Sequence, residues 1–376
     1  MLLTETGFAM TTPSLESSVR ERYAAAAEQR EVALCCPVSY APRFLERIPL
    51  EILEKDYGCG DPSRHLLPGD TVLDLGSGGG KICYIAAQIV GAAGHVIGVD
   101  FNEPMLALAR KYQTAMADTL GYANVEFRRG RIQDLQLSLD RLDAKLAGAP
   151  VSSAHDWLSL DETIEQLRQS APLIESSSID VVVSNCVLNL VKTADRDQLF
   201  DELFRVLKPG GRAVISDIVA SRDVPEPLQK DATLWSGCVS GAFREDQFGR
   251  AFEAAGFVGV EILERQAEPW QVIEGIEFRS LTLRAYKPLA SVETQDGCEV
   301  IYRGPWAVAI DDTGAELPRG ERVPLTDSQR AQLALPPYRD HLIWSGEFQP
   351  VPASDCCGPG GSTGDCCEPT VVSLDF

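Results

Sequence analysis

A chain of 376 residues with 44% hydrophobic content is long enough for one large domain and a small one. Its formal net charge of -21 leaves no basic face, which excludes nucleic acid and anionic membrane surfaces as partners. No unbroken apolar run reaches the roughly 20 residues that a bilayer span needs. Met1–Gly7 has neither a basic start nor an apolar core, so a cytoplasmic protein without a leader is expected.

Residues 1–18 read as a disordered N-terminus. Val19–Gln29, rich in alanine, reads as a helix that ends before Cys35-Cys36-Pro37, and Leu50–Lys55 as a short one. Tyr57-Gly-Cys-Gly-Asp-Pro62 must turn. Strands are expected at Thr71–Leu75, His95–Val99 and Asn124–Arg129. Between the last two, Asn102 caps a helix that carries Pro104 in its first turn and runs to Leu120. The stretch 135–178 is longer than a connecting loop and reads as an insertion, with helical pieces at Leu137–Leu146 and Leu160–Gln169. Strand four is Ile179–Ser184, and an amphipathic helix follows at Asp197–Leu207. Lys208-Pro-Gly-Gly211 then stops that helix and turns into strand five, Arg212–Asp217. A helix at Glu245–Ala255 precedes a final antiparallel pair, Val258–Leu263 and Phe278–Ala285. The stretch 19–289 thus forms one α/β domain. A small β-containing domain is expected at 290–350, with strand-like runs at Glu299–Tyr302, Trp306–Ile310 and Arg322–Leu325. Residues 351–376 read as a flexible cysteine-rich tail.

The stretch that organises the rest is Thr71-Val-Leu-Asp-Leu-Gly-Ser-Gly-Gly-Gly80. It is a strand and a glycine turn, and the helical spacing of Ile82–Val90 follows: the opening of a nucleotide-binding unit. A pyrophosphate site does not place an acid just ahead of its glycines, because a carboxylate repels phosphate. Asp74 therefore suits a cationic, amino-bearing ligand. Asp100 closes the next strand, where an acid accepts both hydroxyls of a ribose. A ribose joined to a positively charged, unphosphorylated partner describes S-adenosylmethionine. Its expected contacts are Asp74, Gly76, Ser77, Gly78, Asp100, Asn102, Met105, Ile132, Gln133 and Asn185.

The chain has 11 cysteines, which in a long cytosolic protein argues for reduced thiols with a task. Cys59 lies in the loop before strand one, Cys186 just after strand four, and Cys238 in a glycine-flanked segment after strand five. All three fall on the side where an open α/β sheet keeps its ligand crevice. Taken singly, each would be a small buried hydrophobe. Together they make a soft three-thiol site, suited to trivalent arsenic. Cys83 and Cys298 read as structural, and Tyr84 as a residue lining the cofactor.

Asp74-Leu-Gly-Ser-Gly-Gly-Gly-Lys-Ile-Cys-Tyr84, Tyr57-Gly-Cys-Gly60, Ser184-Asn-Cys-Val-Leu-Asn-Leu-Val191 and Trp235-Ser-Gly-Cys-Val-Ser-Gly-Ala242 resemble the arsenite S-adenosylmethionine methyltransferases. The resemblance runs from Val19 to Lys287, leaving the insertion aside. It implies a class I methyltransferase fold, a Rossmann-like seven-stranded sheet with helices on both faces. It further implies that Cys186 and Cys238 hold arsenic during methylation, with Cys59 as a third ligand and a member of the disulfide relay that activates arsenic. The family's fourth, N-terminal cysteine corresponds to Cys35 or Cys36. Where the family shows a Glu-Asp or Glu-Lys pair after an isoleucine following strand three, this chain has Ile132-Gln133-Asp134, and either Gln133 or Asp134 can accept from the adenine amino group. Cys356, Cys357, Cys366 and Cys367 in the tail are expected to collect metalloid. The implied co-substrates are a thiol conjugate of arsenite and a thiol reductant, glutathione or thioredoxin, serving a monomer. Two other readings remain: methylation of an organic acceptor with structural cysteines, and sequestration of metalloid without turnover.

Overall fold

Strand β1 (Thr71–Leu75) is buried on both faces, and the sheet is built outward from it. The computed structural model describes residues 14–31, 34, 38–289 and 298–345. Cys35, Cys36, the four tail cysteines and the stretch 1–13 lie outside these. Five parallel strands run in the order β3 (Val125–Arg129), β2 (His95–Asp100), β1, β4 (Ile179–Asn185) and β5 (Leu207–Ala220). Antiparallel to β5 comes β9 (Ile276–Tyr286), and then β7 (Val258–Arg265). These seven are the expected sheet. Two short strands extend it to nine: β6 (Phe243–Arg244) beside β5, and β8 (Gln271–Ile273) beside β9.

Alternation along β1 sends its side chains to two cores. Leu73 and Leu75 pack on one face with Phe200, Phe248 and Phe252, and Val72 on the other with Ile82, Ile85 and Leu106. The parallel strands therefore all end on one edge, and the loops leaving that edge form a cleft.

Four expectations need correction. Residues 15–18 are helical: the first helix spans Leu15–Glu28, because Ser14 Oγ accepts the Ser17 N–H as an N-cap. The helix expected to run to Leu120 breaks at Tyr112 into Glu103–Lys111 and Gln113–Leu120. Lys208–Gly211 belongs to β5, whose pairing with β4 shifts between Ile179 and Val181; Gly210, at φ +77°, lets the strand bulge. The insertion helices sit at Leu139–Gly148 and Ala154–Ser170, and of their residues only Leu167 is buried.

The C-terminal region carries β10 (Glu299–Tyr302), β11 (Val308–Ile310), β12 (Glu316–Pro318), β13 (Arg322–Pro324) and β14 (Leu342–Ser345) around a small core of Val300, Tyr302, Leu317, Leu333 and Leu342. A helix at Asp327–Leu333, absent from the sequence reading, is announced by its capping box, Thr326 with Gln329. Asp312 ties this region to the sheet by accepting the Gly259 N–H at 2.8 Å.

Candidate active site

The turn after β1 lays its backbone against the end of β2. Gly76 N and Ser77 N donate to Val99 O at 2.8 and 3.0 Å, and Gly78 N donates to Asp100 Oδ2 at 2.9 Å. Gly78 sits at φ +51° with open space where a Cβ would stand, so its glycine serves the turn. Gly76 is also crowded: a Cβ there would meet Val187 at 2.5 Å. Asp100 Oδ1 accepts from Asn102 N at 2.8 Å, and the two backbone donors hold the carboxylate at the cleft. Burial raises the pKa of Asp100, against those same donors. Burial also pushes Asp74 up to about 7; the Cys83 thiol, which donates to Oδ2 at 3.2 Å, acts in the opposite sense.

All ten expected cofactor contacts line this one cleft. Asp74 and Asp100 meet no Lys or Arg among the described residues, and Ser77 Oγ is buried without a hydrogen-bond partner. Two buried carboxylates and an unsatisfied hydroxyl fit a ligand that brings a cation and hydroxyl groups. Asn102 is committed elsewhere as well: its Oδ1 accepts from Met105 N, and its Nδ2 donates to Arg20 O at 2.9 Å.

Two expectations fail here. Tyr84 is fully buried and donates to Ala109 O at 2.7 Å, away from the cleft, because its helix turns that face into the second core. Asp134 does not line the cleft either: its carboxylate pairs with Arg168 of the insertion at 2.7 Å, so of the two only Gln133 lines the cleft. The sequence reading also missed the first helix as a wall of the cleft. Glu16, Val19 and Tyr23 line it, and Glu16 pairs with Arg131 at 2.8 Å and with Lys192 at 3.0 Å across the rim.

The three central cysteines converge beside the cofactor wall. Cys59 and Cys186 are joined as a disulfide, with Cα atoms 5.7 Å apart. Cys238 is a thiol that donates to Cys186 O at 2.8 Å and lies 3.8 Å from Tyr23 OH. Cys186 and Cys238 hold φ at +63° and +60°, a left-handed backbone that costs energy for a residue with a Cβ. Cys186 lines the cleft, whereas Cys59 and Cys238 sit just behind it. Asn185 braces the Cys59 loop: its Oδ1 accepts from Cys59 N at 2.8 Å and Gly60 N at 3.0 Å, and its Nδ2 donates to Gly60 O at 2.8 Å. Asp217 was missed. It is fully buried, within 4.8 Å of both disulfide sulfurs, with its pKa pushed up to about 7 by burial. An acid near the end of an apolar strand, the signal that marked Asp74, was there to find it. Cys83 is buried, as a structural cysteine should be, and Cys298 is half-buried.

A family model described as a methyltransferase domain matches residues 66–168 and 153–256, and a domain of unknown function, DUF8838, matches 290–369. A crystal structure of an arsenic(III) S-adenosylmethionine methyltransferase from Chlamydomonas reinhardtii superposes with a TM-score of 0.56 at 25% identity, covering 83% of this chain and 97% of that one. The sheet order and the matching family model are those of a class I S-adenosylmethionine-dependent methyltransferase. The arsenite methyltransferase of Aquipseudomonas alcaligenes is 33% identical over 336 residues, 85% of this chain and 86% of the relative. That of Mus musculus is 30% identical over 328 residues, 84% and 76% of the two chains. The chain belongs to the arsenite methyltransferase family.

Proposed function

We propose that this chain transfers methyl groups from S-adenosylmethionine to trivalent arsenic held on Cys59, Cys186 and Cys238. The observation that carries the reading is the meeting of two chemistries: Cys186 lines the cleft that Asp74 and Asp100 line. Asp74 faces the amino-bearing end of the cofactor, Asp100 its ribose and Gln133 its adenine. Gly76, Ser77, Gly78, Asn102, Met105, Ile132 and Asn185 complete the wall.

The Cys59–Cys186 disulfide gives the thiol reductant, glutathione or thioredoxin, its role. One thiolate attacks a sulfur of the pair and the other sulfur leaves as thiolate. A second thiol then releases the first, so the chain gains two electrons and two protons while the reductant becomes its own disulfide. Arsenite arrives as a thiol conjugate. Each cysteine thiol displaces one thiolate from arsenic and passes its proton to that group, which leaves as a thiol. Three sulfur ligands suit a soft centre. When bound, S-adenosylmethionine would supply an electrophilic methyl carbon to the arsenic lone pair, its carbon–sulfur bond breaking as S-adenosylhomocysteine leaves. That lone pair carries no proton, so the site needs no general base, and its work is to hold both reactants at near-attack distance.

The catalytic unit in this reading is 19–289, with 135–178 inserted and 290–350 appended. Cys356, Cys357, Cys366 and Cys367, with Cys35 or Cys36, collect or relay metalloid. The chain acts as a cytoplasmic monomer. The test is incubation with arsenite, a thiol and labelled S-adenosylmethionine, followed by arsenic speciation. Labelled methylarsenicals are expected; label on an organic acceptor alone, or arsenic bound without turnover, overturns the reading.

A further inference from the structure

Every cysteine of the proposed arsenic site stands on a loop, and the loops come from distant parts of the chain. Asn189, three residues after Cys186, joins two of them. Its side chain is fully buried. Nδ2 donates to Asp217 Oδ1 at 2.7 Å, to Ile218 O at 2.7 Å, and to Cys238 O at 3.3 Å, the bond that crosses to the other cysteine loop. Three acceptors around one end fix the amide's orientation, since the reverse would set oxygen against oxygen. Asn189 Oδ1 is buried without a hydrogen-bond partner. A buried amide that leaves its oxygen unsatisfied is a poor choice for stability alone. The backbone is committed here as well: a Cβ at Gly241, three residues past Cys238, would stand 2.1 Å from Asn189 O.

Asp217 lies close enough to the sulfurs to suggest a ligand. Its hydrogen bonds decide otherwise. Oδ2 accepts from Leu188 N at 2.9 Å and Asn189 N at 3.3 Å, and Oδ1 from Asn189 Nδ2 and from Ile218 N at 2.8 Å. A carboxylate offers about four lone-pair sites, and here four donors occupy them. Asp217 is an anchor for the turn that carries Asn189.

We infer that Asn189, seated on Asp217, is a positioning residue that sets the spacing between Cys186 and Cys238 and so makes the third sulfur available to arsenic. The inference rests on the arsenic-methylating reading above. Its counterpart is Asn185, one residue before Cys186, which holds the Cys59 loop. The segment between the two asparagines gathers all three cysteines, and the left-handed φ at Cys186 and at Cys238 is held from outside by these bonds.

The experiment uses the full chain reduced with a phosphine, which contributes no sulfur, and loaded with arsenite. X-ray absorption at the arsenic edge counts arsenic–sulfur bonds in the wild type, in Asn189→Ala and in Asn189→Asp. Cofactor affinity and kcat/KM for arsenite are measured beside it. Three sulfurs are expected in the wild type. Both variants should fall to two, with oxygen in the third place. They should lose about tenfold or more in kcat/KM for arsenite and keep S-adenosylmethionine affinity within about twofold. Asn189→Asp, which turns a carboxylate oxygen toward the Ile218 and Cys238 carbonyls, should be the worse of the two. Three sulfurs and wild-type kcat/KM in the variants overturn the inference. So does loss of cofactor binding in both, because Asn189 would then be holding the fold. Wild-type protein that binds arsenic through no sulfur overturns the function reading itself, and this inference with it.

Discussion

The glycine turn of the cofactor wall is held by the neighbouring strand, whereas the cysteine loops are held by asparagine side chains from distant stretches of chain. On the first wall Gly76, Ser77 and Gly78 donate to Val99 and Asp100, one strand away. On the second, Asn185 reaches Cys59 across 126 residues and Asn189 reaches Cys238 across 49. The glycine turn and Asp100 of the first wall need only the pairing of β1 with β2. The second exists only when the whole domain has closed, and its backbone sits in an unfavourable region at two cysteines. Binding of cofactor and binding of metalloid should therefore be separable by substitution.

The largest effect should fall on the cysteine wall. Cys186→Ser and Cys238→Ser should each cut arsenite methylation by about 100-fold or more, with S-adenosylmethionine affinity within about twofold, since the two walls share few partners. A serine hydroxyl is hard and protonated at neutral pH. Cys59→Ser should block methylation of arsenite while sparing that of an already methylated arsenical. Wild-type turnover of arsenite by the Cys186 and Cys238 variants would remove the three-thiol site.

Next comes Asp100→Ala on the opposite wall. Loss of two charge-assisted hydrogen bonds to ribose should weaken cofactor binding by about 2–4 kcal/mol, roughly 30- to 1000-fold. Calorimetry reads this directly, and an unchanged affinity takes Asp100 out of the site. Arsenic binding by the same variant should be unaffected, which sharpens the division.

A smaller effect follows from Asp74, whose pKa in the fold is about 7. Below that value the carboxyl is protonated and must lose its proton to meet a cation. Cofactor affinity should rise with pH toward 7 and level off above it, approaching tenfold per pH unit at the acid side, the limit for one linked proton. Asp74→Asn should flatten the profile. A flat profile in the wild type denies Asp74 its partner. The smallest effect is expected from truncation before Asp355: turnover at saturating arsenite should persist, and only performance at low arsenite should fall. Complete loss at saturation would make the tail catalytic.

The difference between the walls also explains which features are legible in the amino-acid sequence alone. Asp74 to Gly80 is a local pattern, and Asp100 closes the next strand, so the sheet and ten residues that line the cleft were legible. The three cysteines were legible as positions in motifs. Their supports were not, because an asparagine inside Cys186–Val191 looks like any loop asparagine until Cys238 is folded onto it. Tyr84 misled because it stands next to the glycine turn in sequence, while the helix points it at Ala109. The first helix was under-read for a related reason. Its buried residues, Val19, Ala26 and Ala27, make too weak an apolar face to announce that Glu16 and Tyr23 border the site.

The paired buried acids have a consequence for turnover. Asp74 and Asp100 form no ion pair with a Lys or Arg among the described residues, and in the proposed reading their carboxylates put negative charge at the end of the cleft that receives the cofactor. The methyl donor enters as a sulfonium, and the spent cofactor is a neutral thioether at the same sulfur. The field that draws the one in has less hold on the other. In the proposed reading the same carboxylates should therefore ease product inhibition, and the preference for fresh over spent cofactor should weaken as ionic strength rises.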